Sequence, residues 1–208
     1  NLPRAWMKLA EDRIRAVLEA VGDDIDIILE AHAKFSPATA IEIARRMSQF
    51  GLFFYEQPVS HMNPAIMREV HERVPVPLST GERLTGRWQF RELIESQAVS
   101  IVQPDLGITG GISEGKRIAD LASVYDIKVQ PHNCSSPLLT FASVQLDAAL
   151  DNFIIQETFP YREPELMQFV SNPLEPRIRD GYLALPDEPG LGVVPDEEVL
   201  GKIPSVVV

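Results

Sequence analysis

Ionisable residues recur along this chain about every twenty-six residues, each near the end of a short apolar run. Apolar runs that alternate with amphipathic stretches of helical length indicate βα units and a parallel sheet. Six residues occupy this position: Glu30, Glu56, Glu82, Asp105, His132 and Glu157. Their separations are 26, 26, 23, 27 and 25 residues. The regularity favours a (β/α)-barrel, in which all strand ends converge on one site. A doubly wound sheet is disfavoured, because its site is formed mainly by the ends of one or two strands.

The predicted strands and helices follow from the same alternation. The strands are predicted at 25–32, 52–58, 76–82, 99–105, 127–133 and 153–158. A capping residue followed by Pro is a strong helix start. Three helices are predicted to begin in this way, at Ser36-Pro37, Asn63-Pro64 and Ser136-Pro137. A further helix is predicted over 5–22.

Six strands are too few for a closed barrel, which needs eight. Six strands alone would leave two unpaired parallel edges. We therefore expect an α/β fold of the modified (β/α)-barrel type, with about six of the eight units in this chain and the first two strands in a preceding segment. The expected division is a partial catalytic barrel over 1–160 and a C-terminal segment over 161–208.

Composition narrows the partners. The chain of 208 residues has 30 acidic and 19 basic residues, for a net charge of −11. This balance argues against nucleic acid or an anionic membrane as a partner, because both need clustered Lys and Arg. The sequence has no apolar run long enough to cross a bilayer and no secretory segment at its start. Its single cysteine, Cys134, excludes an intrachain disulfide and fits the cytoplasm.

Three of the recurring residues are glutamates on strands that we expect to be adjacent: Glu30, Glu56 and Glu82. Packed together, three carboxylates would repel one another and would have to take up protons. A hard divalent cation removes the conflict, and Mg²⁺ prefers oxygen ligands. The sequence therefore predicts a magnesium site. The alternative is that each glutamate forms a separate surface salt bridge.

The next two strands end in Asp105 and His132. A carboxylate beside an imidazole selects its tautomer and favours its protonated form, which suits a proton-transferring base. The alternative is a histidine bonded to a backbone carbonyl. On the first strand, Glu30 and His32 are predicted to point to the same side, because strand side chains alternate. His32 could then be a second acid or base, unless the strand simply frays into solvent there.

The motifs at these positions resemble those of the enolase superfamily, in its mandelate racemase-like branch. The likeness runs from about residue 5 to residue 195, and its specificity lies in the order and spacing of the motifs. They are YEQP (55–58), STGER (79–83), QPDLGITGG (103–111), VQPHN (129–133) and IIQE (154–157). His32 lies two residues after Glu30, the first of the three glutamates. A histidine at this position makes the chain similar to the galactonate dehydratase-like sugar-acid dehydratases.

The resemblance implies roles for the recurring residues. Glu30, Glu56 and Glu82 would be the ligands of Mg²⁺, and the His132–Asp105 dyad would abstract the α-proton of a sugar acid. His32 would protonate the departing hydroxyl, and Glu157 would lie near the substrate carboxylate. The galactonate dehydratase pattern usually has Asp at the first ligand, whereas this chain has Glu30.

The resemblance also implies an assembly and an activity. An N-terminal capping domain would complete the protein, the C-terminal segment would pack on it, and the protein would be a homo-oligomer. The expected activity is dehydration of an aldonate or aldarate to a 2-keto-3-deoxy acid by a lyase. The alternatives are a racemase or epimerase of a 2-hydroxy acid and a non-catalytic metal-binding barrel. Trp88 is predicted to pack within the helix that follows Glu82, and the alternative is a contact with the substrate.

Overall fold

The structure, a computed structural model, describes residues 2–158 and 164–202. Its strands are β1 (Ile28–Glu30), β2 (Phe54–Glu56), β3 (Leu78–Thr80), β4 (Ile101–Val102) and β5 (Lys128–Val129). The barrel helices are α1 (Arg4–Val21), α2 (Pro37–Met47), α3 (Pro64–His71), α4 (Gly86–Glu95), α5 (Leu106–Thr109), α6 (Ile112–Ser123) and α7 (Pro137–Asp147). The C-terminal segment contains α8 (Pro164–Met167), a 3₁₀ turn (Glu175–Arg177) and α9 (Glu197–Leu200). The expected division between residues 160 and 161 lies outside the described residues and stays a prediction.

The five strands form one parallel sheet in chain order, β1-β2-β3-β4-β5. A sheet whose order never reverses has no switch point, which is typical of a barrel wall rather than of a doubly wound sheet. The predicted α/β fold is therefore confirmed. The strands are shorter than predicted, and the sixth is reduced to a parallel bridge between Phe153 and Val129.

The predicted helix starts are confirmed. The Ser36 hydroxyl accepts a hydrogen bond from the Thr39 backbone N–H at the start of α2. The Asn63 amide oxygen accepts one from the Ala65 N–H at the start of α3. Because Pro has no N–H to leave unpaired, it suits the first position of both helices and of α7.

The main core lies between the sheet and the helices that follow its strands. In α4 the buried side chains are Phe90, Leu93 and Ile94. Trp88 is 73% exposed, so the prediction that it packs within this helix is wrong. The physical reason is the helical repeat of 3.6 residues, which places a residue two positions before Phe90 on the opposite face.

The described part of the C-terminal segment packs against the barrel. Val170 and Leu174 form a buried cluster with Phe141 and Val144 of α7. Packing of this segment on a capping domain stays a prediction. No helix in the described ranges combines the length and apolar character that a membrane span requires.

One buried acid lies away from the strand ends. Asp147, the last residue of α7, is only 8% exposed. Neither of its carboxylate oxygens has a hydrogen-bond partner among the described residues. Burial raises the pKa of Asp147 from 3.8 to about 8, because the charged form loses its hydration there. Folding therefore keeps this carboxyl protonated at neutral pH.

We expect Asp147→Asn to stabilise the protein increasingly as the pH rises. The unfolded chain ionises Asp147 near its ordinary pKa of 3.8 and the folded chain only near pH 8, so the wild type loses stability between these values. The free energy of unfolding of the variant should exceed that of the wild type by roughly 2–4 kcal/mol at pH 8. Urea unfolding at pH 5, 6, 7 and 8 measures the difference.

Ser143→Ala is the matched control for this prediction. Ser143 is a buried residue of the same helix whose hydroxyl has no partner among the described residues. It carries no titrating group, so any change in stability should be constant across this pH range. Parallel pH curves for wild type and Asp147→Asn would contradict the prediction.

Candidate active site

The register of β1 and β2 places two acids side by side. Glu30 is the direct neighbour of Glu56 across the parallel pair. Burial, and then the charge of Glu56, raises the pKa of Glu30 to about 9. Burial likewise raises the pKa of Glu56. Two poorly hydrated carboxylates in contact cannot both stay ionised without a compensating positive charge.

The Gln103 side chain supports Glu56, and the Gln130 side chain in turn contacts Gln103. The Gln103 amide donates hydrogen bonds to the Glu56 carboxylate and to the Gln130 side-chain oxygen. Both glutamines are buried. The sequence reasoning missed them, although the repeated tripeptide VQP at 102–104 and 129–131 was a usable signal. Gly81 allows the close approach here, because a Cβ on it would meet the Gln103 backbone at 2.8–2.9 Å.

Glu82 lies just beyond β3 and has basic neighbours. The Arg83 Nε donates to Glu82 Oε1 over 3.0 Å. Two imidazole nitrogens lie 3.4 Å from this carboxylate, His32 Nε2 from Oε1 and His132 Nε2 from Oε2. Glu82 therefore brings together both histidines predicted for the site. The arginine next to it was present in the STGER motif but received no role from the sequence.

The donor set of Glu30, Glu56 and Glu82 fits a hard divalent cation. All three are carboxylates from adjacent strand ends, and oxygen ligands of this kind suit such a cation. Burial raises the pKa of Glu30 and of Glu56, so their charged forms are disfavoured unless positive charge is added. Within residues 2–158 and 164–202, however, no group of three or more His, Cys, Asp or Glu side chains has the arrangement of a formed metal site. The chemistry of the ligands fits, while a metal site stays a prediction.

The dyad of His132 and Asp105 is in hydrogen-bonding contact. His132 Nδ1 lies 2.7 Å from Asp105 Oδ2, so its partner is the carboxylate and the backbone-carbonyl alternative is wrong. Asp105 is held in turn because its Oδ1 accepts from the Gly107 N–H at the start of α5. The contact places the ring proton on Nδ1. Nε2 faces Glu82 at 3.4 Å and Glu157 at 4.0 Å.

Several opposing effects set the basicity of His132. Burial alone lowers its pKa. The hydrogen bond to Asp105 and the negative charges of Glu157 and Glu82 raise it more, so the pKa of His132 lies above its ordinary value. A base with an acidic partner at one nitrogen and acidic neighbours at the other is suited to taking up a proton.

His32 reaches the site by a different route from the predicted one. The strand ends at Glu30, and His32 adopts a left-handed backbone with φ of 49°. The prediction that both residues share a strand face is therefore wrong. The chain turns there because the His32 backbone N–H donates to the Glu30 carboxylate. The ring still lies beside Glu82, and His32 Nε2 accepts from Arg83 Nη2 over 2.8 Å.

A cavity of about 360 Å³ opens among these strand ends. Its lining includes Glu30, Glu56, Gln130 and Glu157. This volume is at the small end of the range for ligand pockets. Three carboxylates and the Gln130 amide give this cavity a polar lining.

Comparison with known proteins places this geometry in a family. The sequence profile of the enolase C-terminal domain-like family matches residues 4–199. The chain belongs to this family. The predicted resemblance to the enolase superfamily is thereby confirmed, and with it the barrel architecture.

Individual relatives of this enolase-type chain are sugar-acid dehydratases by name. A D-xylonate dehydratase of Haloferax volcanii is 35% identical over 183 residues, covering 88% of this chain and 44% of the relative. A D-gluconate/D-galactonate dehydratase of Picrophilus torridus is 31% identical over 197 residues, covering 95% and 50%. The chain spans about half the length of the curated relatives it matches.

A solved structure shares the whole fold. It is a member of the enolase superfamily from Salmonella Typhimurium, with a TM-score of 0.92 and 38% identity. The match covers 98% of this chain and 52% of that one. The fold of this enolase-type chain is therefore that of a known enolase-superfamily structure.

Proposed function

We propose that the protein containing this chain dehydrates a sugar acid, an aldonate or aldarate, to a 2-keto-3-deoxy acid with Mg²⁺. The observation that carries the proposal is the His132–Asp105 contact of 2.7 Å beside the carboxylates of Glu82 and Glu157. The contact would place a base next to Glu82, one of the three proposed ligands of the cation. The names of relatives that act on xylonate, gluconate and galactonate support the substrate class.

Glu30, Glu56 and Glu82 would hold the ion. When bound, Mg²⁺ supplies positive charge close to the substrate carboxylate as negative charge develops on it. Gln103 would keep Glu56 in place through its amide hydrogen bond. A chain of net charge −11 could still contribute to binding an anionic substrate, because a bound ion would be the dominant local charge.

His132 is the proposed base. Since Asp105 holds the proton of Nδ1, Nε2 is the nitrogen with a free electron pair. Nε2 would take the proton from C2 of the sugar acid. Glu157, 4.0 Å from this nitrogen, would hydrogen-bond the substrate.

His32 is the proposed acid. A guanidinium has no acceptor, so the contact with Arg83 requires His32 Nε2 to accept and assigns the ring proton to Nδ1. This neutral ring would have to take up a second proton at Nε2 as the contact with Arg83 opens, because loss of the Nδ1 proton alone would leave an imidazolate anion. The imidazolium would then give a proton to the C3 hydroxyl, which leaves as water while the electron pair from C2 forms the C2–C3 double bond. The resulting enol tautomerises to the 2-keto-3-deoxy acid.

A racemase or epimerase is the second candidate, and the Arg83 contact favours it. Arg83 lies at hydrogen-bonding distance from His32 Nε2, and a histidine held in this way need not act as an acid. The same ion and the same dyad would then exchange the proton on C2 without loss of a hydroxyl.

We also propose that the protein works on a small molecule in the cytoplasm, with neither nucleic acid nor membrane as a partner. The net charge of −11 supports the absence of an anionic partner, and the single Cys134 supports a reducing compartment. Assembly into a homo-oligomer stays a prediction.

We expect Glu56→Gln to weaken the binding of a divalent cation at least tenfold. The substitution keeps the size of the side chain but removes the charge that a hard cation needs. Titration of the substrate-free protein with Mn²⁺, followed by electron paramagnetic resonance, measures the affinity without turnover. Glu95→Gln, an exposed position at the end of α4, is the matched control and should leave it unchanged. Equal affinities for the wild type and both variants would contradict the proposed ligand set.

We expect His132→Asn to lower product formation by roughly 10²–10⁴-fold, because general-base catalysis contributes about that much. A panel of aldonic and aldaric acids with Mg²⁺, assayed for 2-keto-3-deoxy products, identifies the substrate and measures the loss. His71→Asn is the matched control, because it replaces a histidine in α3 rather than at a strand end, and it should retain activity. Full activity of His132→Asn would exclude this residue as the base.

His32→Asn should separate the two candidate reactions. A dehydratase that uses His32 as its acid should lose water elimination by roughly 10²-fold or more and still exchange the C2 proton with solvent deuterium. A racemase or epimerase should retain full turnover. Deuterium exchange followed by NMR and the keto-acid assay, run on the same samples, measure both steps. Unchanged dehydration in this variant would remove His32 from the mechanism.

A further inference from the structure

A chain of hydrogen bonds connects the C-terminal segment to Glu157. The Asn133 backbone N–H donates to Glu157 Oε2 over 2.9 Å. Its side-chain Nδ2 donates to the Glu157 backbone oxygen over 3.2 Å and to Thr140 Oγ1 over 2.9 Å. Thr140 Oγ1 donates to Glu175 Oε1 over 2.6 Å. Four residues from four parts of the chain are thus joined.

The direction of these bonds is determined by chemistry. The Glu175 carboxylate accepts, so the Thr140 hydroxyl must give it its proton. With its proton given to Glu175, the Thr140 hydroxyl can only accept any further hydrogen bond. The Asn133 amide NH₂ group is a suitable donor for it. This leaves Asn133 with its NH₂ group towards α7 and its backbone N–H towards the Glu157 carboxylate. Asn133 and Thr140 are fully buried, with 0% exposure, so water does not compete for the bond between them.

The C-terminal segment is anchored next to this chain of bonds. Leu174, the neighbour of Glu175, is buried in the cluster with Phe141 and Val144 of α7. Thr140 lies beside Phe141 on the same helix. The apolar cluster therefore holds the Glu175 carboxylate against the Thr140 hydroxyl. Asn133 directly follows His132 in sequence, so the bonds end beside the proposed base.

We propose that Asn133 is a positioning residue for Glu157 and that Thr140 and Glu175 position Asn133. The docked C-terminal segment then sets the Glu157 carboxylate near His132 Nε2, 4.0 Å away. This inference rests on the proposed function, in which Glu157 contacts the substrate. The other reading of the same contacts is a cross-link that only stabilises the fold.

The test uses variants of Thr140 and Glu175 in the full-length protein. Thr140→Val keeps the shape of the side chain and removes the hydroxyl, whereas Thr140→Ser keeps the hydroxyl. Glu175→Ala removes the acceptor, and Glu175→Gln keeps an acceptor oxygen. Ser143→Ala is the matched control, because it removes a buried hydroxyl from the same helix that has no partner among the described residues.

The first readout needs no substrate. Hydrogen–deuterium exchange followed by NMR reports whether the Asn133 N–H is still held by Glu157. We expect exchange of this amide to accelerate at least tenfold in Thr140→Val and Glu175→Ala. Thr140→Ser, Glu175→Gln and Ser143→Ala should stay within about twofold of the wild type. An unchanged rate in the first two variants overturns the proposal, even if the enzyme is an active dehydratase.

The second readout is steady-state kinetics on whichever sugar acid the wild type converts. Displacing a positioned group by about 1 Å can cost roughly 10²-fold in rate. We expect kcat to fall tenfold or more in Thr140→Val and Glu175→Ala, with KM changed less and with recovery in Thr140→Ser. Equal losses in Thr140→Val and Ser143→Ala would show a cross-link that acts on the fold alone.

The two readouts separate the two proposals. If the wild type converts no sugar acid, the proposed function fails and the exchange rates still decide whether Asn133 is held through Thr140. If the wild type is active but exchange and kcat do not respond to Thr140→Val, the positioning role fails alone. Should Thr140→Val not fold, the pair of Glu175→Ala and Glu175→Gln gives the same decision, since the Glu175 side chain is only part-buried.

Discussion

The contact between two buried carboxylates, Glu30 and Glu56, is the constraint on which the rest of the site depends. The parallel register of β1 and β2 makes them neighbours, and burial raises the pKa of both groups. Their hydrogen-bond donors include the His32 backbone N–H and the Gln103 amide, which are neutral. Neutral donors lower the cost of burying a carboxylate but do not cancel its charge. A bound divalent cation would cancel it, and this is the physical basis of the magnesium proposal.

The remaining acids of the site, Glu82, Asp105 and Glu157, differ from this pair because each has a basic neighbour. Glu82 lies between Arg83 and two imidazoles, and Asp105 holds the remaining nitrogen of His132. The acids raise the pKa of His132 against the effect of burial. Glu82 also acts on the buried pair, since its charge raises the pKa of Glu30. A cation held by the three glutamates would therefore also affect His132, because Glu82 would contact both the cation and His132.

The sequence predicted what depends on repetition and missed what depends on individual contacts. The alternation of apolar runs and helices was enough for the parallel sheet and its order. Capping residues followed by Pro gave the starts of α2 and α3, and the recurring strand-end residues gave the His132–Asp105 contact. It failed for His32, because a backbone N–H that turns to meet Glu30 ends the strand two residues early. It failed for Trp88, because an aromatic residue was assumed to be buried although its helix buries the opposite face. Arg83 received no role, because its contact with His32 depends on the turn at His32, which the sequence pattern does not predict.

The three acid-bearing strands end in a common way. Directly after β2 and β3, and two residues after β1, the backbone takes a positive φ: 43° at Gln57, 149° at Gly81 and 49° at His32. Such conformations are costly for residues other than glycine, and they persist only where surrounding contacts enforce them. Here the Ala33 N–H donates to the Gln57 carbonyl, and the Gln57 N–H donates to the Ser79 carbonyl. These two bonds connect the three bends. The carboxylates are therefore attached to bends that cannot relax independently. If these carboxylates are ligands as proposed, they would be organised before an ion or substrate arrives and would cost little reorganisation during the reaction.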